Sequence, residues 1–400
     1  MRVLVSSHDR FCITPDGTLW APAPAAAYSF WTRYLERFSE VGICARAKEV
    51  EVPPEGWPRA TGPSVKALPL PSFLGPLQFA KTYPRLVRAS ARVVKEAQAI
   101  ILRGPSDIAG LLFDRMPRGR PFGLEVMGDP LESLGAGSIR HPLQPLLRRR
   151  AFNQLRSEAA AAVAVSYVSR TALPERYPAA PAAFVTNYSS IHLPRSDFAT
   201  APRPESAFAR QPLRLVCVGT FEQLYKGQDL LLTALKTLHA EGFALHTSFA
   251  GGGRYLADMQ RLANELGVTE HVTFLGHVAG RQRVLELMDA SDLLVLPSRT
   301  EGLPRVVIEA QARGLPCIGA RVGGVPELLE EAALFEPGSV SSLVQCLRSQ
   351  LAETANLARA SRNGLRVAED YEESVLSKRR KALYDRVASD TTRWLGGDVR

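Results

Sequence analysis

The run Leu293–Gly324, LLVLPSRTEGLPRVVIEAQARGLPCIGARVGG, holds the residue types and spacings best suited to chemistry. Leu293–Leu296 is an apolar run of strand length, and Pro297–Leu303 reads as a loop. Pro304 suits the first turn of a helix, where its missing N–H costs nothing. Val306, Val307 and Ala310 would then face a core, Gly314 would stop the helix, and Cys317-Ile318-Gly319 would form the next strand. Glu301 therefore stands just ahead of a helix start, whose free N–H groups attract an anion. Glu309 falls within the helix. Eight residues along a helix span roughly 12 Å, whereas the carboxylates of a retaining glycosidase stand about 5–5.5 Å apart. The two glutamates thus have separate jobs. A buried helix glutamate can accept hydrogen bonds from two vicinal hydroxyls, as on a ribose. A loop glutamate beside a phosphate-binding helix start can reach the group attached to that phosphate.

The elements that must position these residues are short apolar runs alternating with amphipathic stretches. Strands are expected at Arg2–Ser6, Ala99–Leu102, Phe122–Val126, Ala162–Tyr167 and Ala182–Thr186. A polar, proline-rich stretch, Pro194–Pro212, precedes a second series: Leu213–Val218, Leu245–Ala250, Val272–Leu275, Leu293–Leu296 and Cys317–Gly319. Trp31, Tyr34, Leu35 and Phe38 share one face of a helical pattern. Strands separated by helices indicate parallel α/β sheets. Two series split near residue 200 predict two doubly wound, Rossmann-like domains, with ligands beyond the carboxyl ends of the strands, in the cleft between them.

Glu301-x7-Glu309 within EGLPRVVIEA resembles the signature of retaining GT-B glycosyltransferases of family four, also called glycosyl transferases group one. The resemblance spans Val216–Gly338 and includes VGTFEQLYKGQD, FAGGGR, VTFLGHV, ASDLLVLPS, LPCIGARVGGVPELL and LFEPGS, in that order. It implies a GT-B fold: an acceptor domain over 1–200, a nucleotide-sugar donor domain over 201–371, and a helix within 372–400 that crosses back to the first domain. It also implies that Glu301 contacts the donor sugar, Glu309 the ribose and Lys226 the diphosphate. Gly302 and Leu303 would offer N–H groups to the phosphates, and Leu275, His277 and Val278 would lie beside the base. Many relatives carry an Arg where this chain has Thr220, so part of the usual diphosphate clamp must come from elsewhere. Arg299 and Arg305 flank the glutamate loop and are the candidates, each in competition with a plain surface arginine.

The first half is less readable. Pro15-Asp16-Gly17 is a turn with Gly for positive φ; the corresponding loop of GT-B enzymes reaches toward the donor phosphates, so Gly17 is either a phosphate contact or a plain turn. FGLEVMGDP puts Glu125 and Asp129 at the end of a strand facing the cleft, and Asp129 is the candidate for orienting the acceptor hydroxyl or donor sugar. Arg103 is a further cleft candidate. FGLEVMGDP, YSFWTRYL and ILRGPS resemble a bacterial subgroup associated with surface polysaccharide assembly.

Composition narrows the rest. The 400 residues are 46% hydrophobic and 22% charged, which excludes a disordered or collagen-like chain. Five separated cysteines with no CxxC pair read as reduced thiols. Met1–Ser7 runs into His8-Asp9-Arg10 without a signal-peptide core, and no apolar stretch reaches the ~20 residues of a membrane span, so a cytoplasmic chain is expected. No residues show metal-ligand spacing, and the third glycine of a dinucleotide fingerprint is missing after Gly251-Gly252-Gly253, so neither a metal nor a cofactor is expected. The net charge of +9 fits an anionic nucleotide-sugar donor better than nucleic acid, for which no basic stripe with interleaved aromatics is present. Arg148-Arg149-Arg150 and Lys378-Arg379-Arg380-Lys381 are either solvated faces or contacts to an anionic inner membrane leaflet, as suits a lipid-linked acceptor. Two other classes stay open: a GT-B-fold nucleotide-sugar epimerase, and a non-catalytic nucleotide-sugar binder.

Overall fold

The computed structural model describes residues 1–133 and 144–397. The first sheet is built from β1 (Arg2–Ile13), β2 (Leu19–Trp20), β3 (Glu40–Glu49), β4 (Val65–Pro71), β5 (Ala99–Gly104), β6 (Gly123–Val126), β7 (Ala164–Tyr167) and β8 (Phe184–Asn187). Its order is β4-β3-β1-β5-β6-β7-β8, all parallel, with β2 returning antiparallel on β1. The second sheet holds β9 (Leu213–Val218), β10 (Leu245–Ala250), β11 (Val272–Gly276), β12 (Leu293–Leu296), β13 (Cys317–Ala320) and β14 (Leu334–Phe335), in the order β11-β10-β9-β12-β13-β14. The order of winding reverses once in each sheet, between β1 and β5 and between β9 and β12, while the strands there stay parallel. The crevice of a doubly wound sheet opens at that point. Central strands such as Leu293–Leu296 are buried on both faces, as continuous apolar runs in parallel sheets require.

Two strands carry no clear sequence signal. Val65–Pro71 contains Pro69 and Pro71, which argue against a strand, but it lies at the sheet edge, where a missing N–H breaks no inner ladder. Glu40–Glu49 hides its apolar half among charged residues. The Trp31–Phe38 pattern forms a short α-helix, Tyr28–Trp31, followed by a 3₁₀ turn, Thr32–Glu36, instead of one regular helix. Trp31, Tyr34 and Phe38 are nevertheless buried.

Helix Glu373–Gly397 leaves the second domain and lies on β5–β8 of the first. Gly123 gives it room, because a Cβ there would strike Val387. Tyr384 packs on Tyr34, with ring centroids 4.9 Å apart. This packing corrects the reading of Lys378–Lys381 as a solvated face. Arg380 is buried in an ion pair with Glu373, and Arg379 bonds Asp370 at 2.6 Å, so only Lys378 and Lys381 are exposed.

Candidate active site

Three loops at the carboxyl ends of β9, β12 and β13 are held against one another. Gly227, at φ +71°, caps helix Gln228–Ala240, and a Cβ there would collide with the carbonyl oxygen of Pro297. Gly323, at φ +49°, packs its Cα against the carbonyl of Glu301 in the same way. The neighbouring Gly324 N–H donates to the Gly302 carbonyl at 2.6 Å. Only glycine permits both the left-handed backbone and the close approach. The motifs KGQD, PSRTEG and RVGG therefore place their backbones together because of what they lack beyond Cα.

Lys226 and Glu301 meet at this junction. Lys226 Nζ lies 2.6 Å from Glu301 Oε1, with the two side chains 17% and 9% exposed. Ser298 Oγ donates to the same oxygen at 2.6 Å. Helix Arg305–Ala312 starts two residues beyond Leu303, with Pro304 as its N-cap. The N–H groups of Gly302 and Leu303 have no partner among the described residues. A half-buried ammonium, a loop carboxylate and a helix start thus converge where an anionic group fits.

Glu309 belongs to a second group. Arg281 lies 3.8 Å from it and bonds Asp197 at 2.9 Å. Burial raises the Glu309 carboxyl above its ordinary range, against the pull of Arg281 and Arg305. Arg281 begins the helix that follows β11, three residues past Val278. The structure therefore joins Glu309 to the Leu275–Val278 loop, not to Lys226. Leu275 and His277 are exposed at its surface and Val278 is partly buried.

Other candidates take different places. Arg299 reaches Asp229 through two hydrogen bonds of 2.9 and 2.7 Å, and its Nη1 also donates to the Leu224 carbonyl at 2.7 Å. Its charge is already paired, so it fastens the Lys226 loop to the Glu301 loop. Arg305 is exposed and has no carboxylate within ion-pair distance among the described residues. Thr220 accepts from Glu222 N–H at 3.1 Å and donates to the Gly252 carbonyl at 3.2 Å, tying its loop to the glycine turn after β10. Gly17 sits in a hairpin turn, and its own N–H donates to the Thr14 carbonyl at 2.9 Å. Arg103 is buried against Glu125 at 3.0 Å, and that carboxylate also accepts from Tyr34 and Tyr188 at 2.9 Å each. Both belong to the core of the first domain.

Asp129 is buried in an ion pair with Arg176 and accepts from Tyr177 Oη at 2.6 Å and Leu131 N–H at 2.8 Å. Burial and that bond push the Tyr177 hydroxyl well above its ordinary range. Three residues on, Glu132 faces the second domain and accepts from Thr300 Oγ1 at 3.3 Å. Its carboxyl is pushed up to about 7, first by burial and then by Asp129, with Arg176 opposing. Glu132, Ser298, Asp229 and Arg281 were not singled out by sequence reasoning. Ser298 and Asp229 lie inside motifs already recognised, but Glu132 has no local signal.

Two parallel-sheet, Rossmann-like domains of this kind make up the GT-B fold. Residues 200–367 match the model of the family described as glycosyl transferases group 1. The chain is similar to Protein CapJ of Staphylococcus aureus, 23% identical over 91% of each chain. A 112-residue stretch is 38% identical to the GDP-mannose-dependent alpha-(1-6)-phosphatidylinositol monomannoside mannosyltransferase of Mycobacterium tuberculosis, covering 26% of this chain and 29% of that one. Sucrose-phosphate synthase from Thermosynechococcus elongatus superposes with a TM-score of 0.70, at 16% identity, over 98% of this chain and 100% of that one. HepE from Anabaena in complex with UDP gives 0.64, at 18% identity, over the same shares. The second domain thus matches the glycosyl transferases group 1 model, and the chain as a whole is similar to GT-B glycosyltransferases.

Proposed function

We propose that this chain is a retaining, metal-independent enzyme that moves a hexose-type sugar from a nucleotide-diphosphate sugar to a hydroxyl of a glycan or lipid-linked acceptor, in exopolysaccharide or cell-surface glycan synthesis. The observation that carries the reading is the Lys226–Glu301 pair, 2.6 Å apart beside a helix start at the switch point of the second sheet. The donor diphosphate lies against Lys226, Arg305 and the N–H groups of Gly302 and Leu303. Glu301 contacts the sugar, Glu309 the ribose hydroxyls, and the Leu275–Val278 loop the base. A neighbour solved with UDP and a partial relative dependent on GDP-mannose support a nucleotide-diphosphate donor.

In the transfer, the bond between the anomeric carbon and the phosphate oxygen breaks, and its electron pair leaves with the nucleoside diphosphate. The acceptor oxygen bonds the same carbon from the same face, and its proton passes to the departing phosphate. Lys226 stabilises the charge that grows there. Cleft closure excludes the water that would otherwise hydrolyse the donor.

The test is a thermal-shift panel of UDP- and GDP-sugars on the purified chain, since only a bound donor raises stability by mass action. Turnover of the stabilising donor is then followed with and without a chelator, and the anomeric configuration of the product is read by NMR. An inverted product or loss of rate with chelator removes the mechanism. Stabilisation without turnover supports a binder.

A peripheral place on an anionic inner membrane face belongs to the same reading. No helix of the described residues is long and apolar enough to cross a membrane. Arg149 and Arg150 are exposed beside the exposed Leu146 and Leu147. Helix Gly75–Glu96 exposes Leu77 and Tyr83 among Lys81, Arg85, Arg88 and Arg92. Each basic residue near such a surface contributes roughly 1 kcal/mol. Co-sedimentation with anionic but not neutral vesicles is expected, and equal binding to both ends the proposal.

A further inference from the structure

The first domain's wall near the Glu301 loop carries three charged side chains, Asp129, Arg176 and Glu132. Asp129 is buried, and its oxygens are taken by Arg176, Tyr177 and the Leu131 N–H. Arg176 is committed to Asp129. Glu132 is different. Its side chain is 23% exposed, its nearest cation is Arg176 at 3.9 Å, and its hydrogen bond from Thr300 is long, at 3.3 Å. Thr300 directly precedes Glu301, so the Glu132 carboxyl stands against the loop that holds the donor-side pair. Next to it the two domains meet through glycine: a Cβ on Gly302 would lie 3.8 Å from the Gly128 Cα.

We propose that Glu132 is the acceptor-side carboxyl of the site: it accepts a hydrogen bond from the incoming hydroxyl and aims that oxygen at the anomeric carbon. This rests on the transferase reading above. The hydroxyl proton still passes to the departing phosphate, and Glu132 is a carboxylate before and after the step. A carboxylate at this point accepts a sugar or polyol hydroxyl and repels a phosphate. The reacting end of the acceptor is therefore a neutral hydroxyl-bearing group, and any phosphate of a lipid carrier binds away from Glu132. The groups that face Glu132 are Asp129, Arg176, Thr300 and Glu301. Arg176 and the Thr300 hydrogen bond favour its charged form, but burial, Asp129 and Glu301 oppose it, and its carboxyl is pushed up to about 7.

The experiment uses the full chain, the donor chosen by the thermal-shift panel, and a series of octyl glycosides as acceptor probes. Glu132→Gln keeps the size and the bond from Thr300 but removes the charge. It is expected to lower kcat/KM for the glycoside at least tenfold, mainly through KM, while the donor KM and the slow hydrolysis of donor by water stay within twofold. Thr300→Val removes the contact between the loops and keeps the carboxylate, so its effect on the acceptor KM is expected to stay below threefold. In the parent, acceptor kcat/KM falls as pH drops below about 7, and Glu132→Gln flattens that limb. An unchanged acceptor KM in Glu132→Gln overturns the inference, as does an equal loss in Thr300→Val, which would leave Glu132 a mere staple. If the parent turns over no donor, the transferase reading fails and this inference with it; donor turnover with an unaffected Glu132→Gln overturns this inference alone.

Discussion

At the residue scale the candidate site divides into two separate clusters. Lys226, Glu301 and Ser298 share one carboxylate oxygen. Removing a preorganised charge donor of this kind costs about 10²–10³ in rate. Lys226→Ala is expected to slow transfer by that factor, with a melting curve close to the parent's; undiminished turnover by pure variant would sink the assignment. Ser298→Ala loses a hydrogen bond to a charged group, worth about 1.5–3 kcal/mol, and is expected to lower the rate about 10- to 100-fold. Glu309 lies with Arg281 beside the loop after β11. On the proposed reading its replacement by Ala raises the donor KM more than it lowers kcat, because the proposed ribose contact is one made equally in ground and transition states. Steady-state rates over a donor titration separate the two.

At the scale of elements, the strand-end loops are positioned by backbone contacts and one paired arginine. Gly227→Ala puts a Cβ into the Pro297 carbonyl and forces a left-handed residue to carry it. A loss of stability above about 1 kcal/mol is expected, together with a lower rate from a displaced Lys226. Chemical denaturation checks the first effect. Arg299 binds Asp229 and the Leu224 carbonyl. Arg299→Lys retains the charge but not the fork, so it tests whether fastening is what matters. A third element gives a pH prediction. Glu158, on helix Gln144–Ala161, is buried with Gln154 as a hydrogen-bond donor at 3.0 Å, and burial pushes its carboxyl up to about 7. A raised carboxyl stabilises the fold below its ordinary pKa, and that contribution is lost as pH rises to about 7. Glu158→Gln should therefore melt higher than the parent at pH 8, and the gap should shrink toward pH 5. A gap independent of pH would refute the origin assigned to it.

At the scale of the whole molecule, the domains are joined by more than the crossing helix. Glu327, from the VPELL segment of the second domain, accepts from the backbone N–H groups of Arg170, Thr171 and Ala172 at 2.5, 3.1 and 3.2 Å, and from Thr171 Oγ1 at 2.9 Å. Arg170 also pairs with Asp370. One carboxylate thus holds the start of a first-domain helix across the interface. Glu327→Ala is expected to widen the particle in solution scattering and to lower kcat. Stabilisation by the nucleotide donor should survive, since Glu327 lies apart from Lys226 and Glu309 in the contacts each makes. An unchanged scattering profile together with an unchanged kcat would remove the latch.

Much of the second domain was readable in the chain because its signals are local. Leu213–Val218, Leu245–Ala250 and Leu293–Leu296 are short segments of strand length that end at Gly or Pro, and the strands occupy those same residues. Glu301 and Glu309 were assigned to separate groups from helix rise alone. The first domain resisted for the opposite reason. Val65–Pro71 is a strand only because an edge tolerates proline. Asp129 looked available at a strand end, but Arg176 and Tyr177, 47 and 48 residues away, enclose it. Glu132 had no motif, and its position against Thr300, 168 residues distant, arises only when the two sheets face each other. The sequence by itself determined the class of fold and set Glu301 and Glu309 apart in separate groups, because spacing along a helix and glycine at a turn are properties of neighbours in the chain. Tertiary structure alone decided which charges stay free for a substrate, because pairing and burial depend on residues that the chain brings from far away.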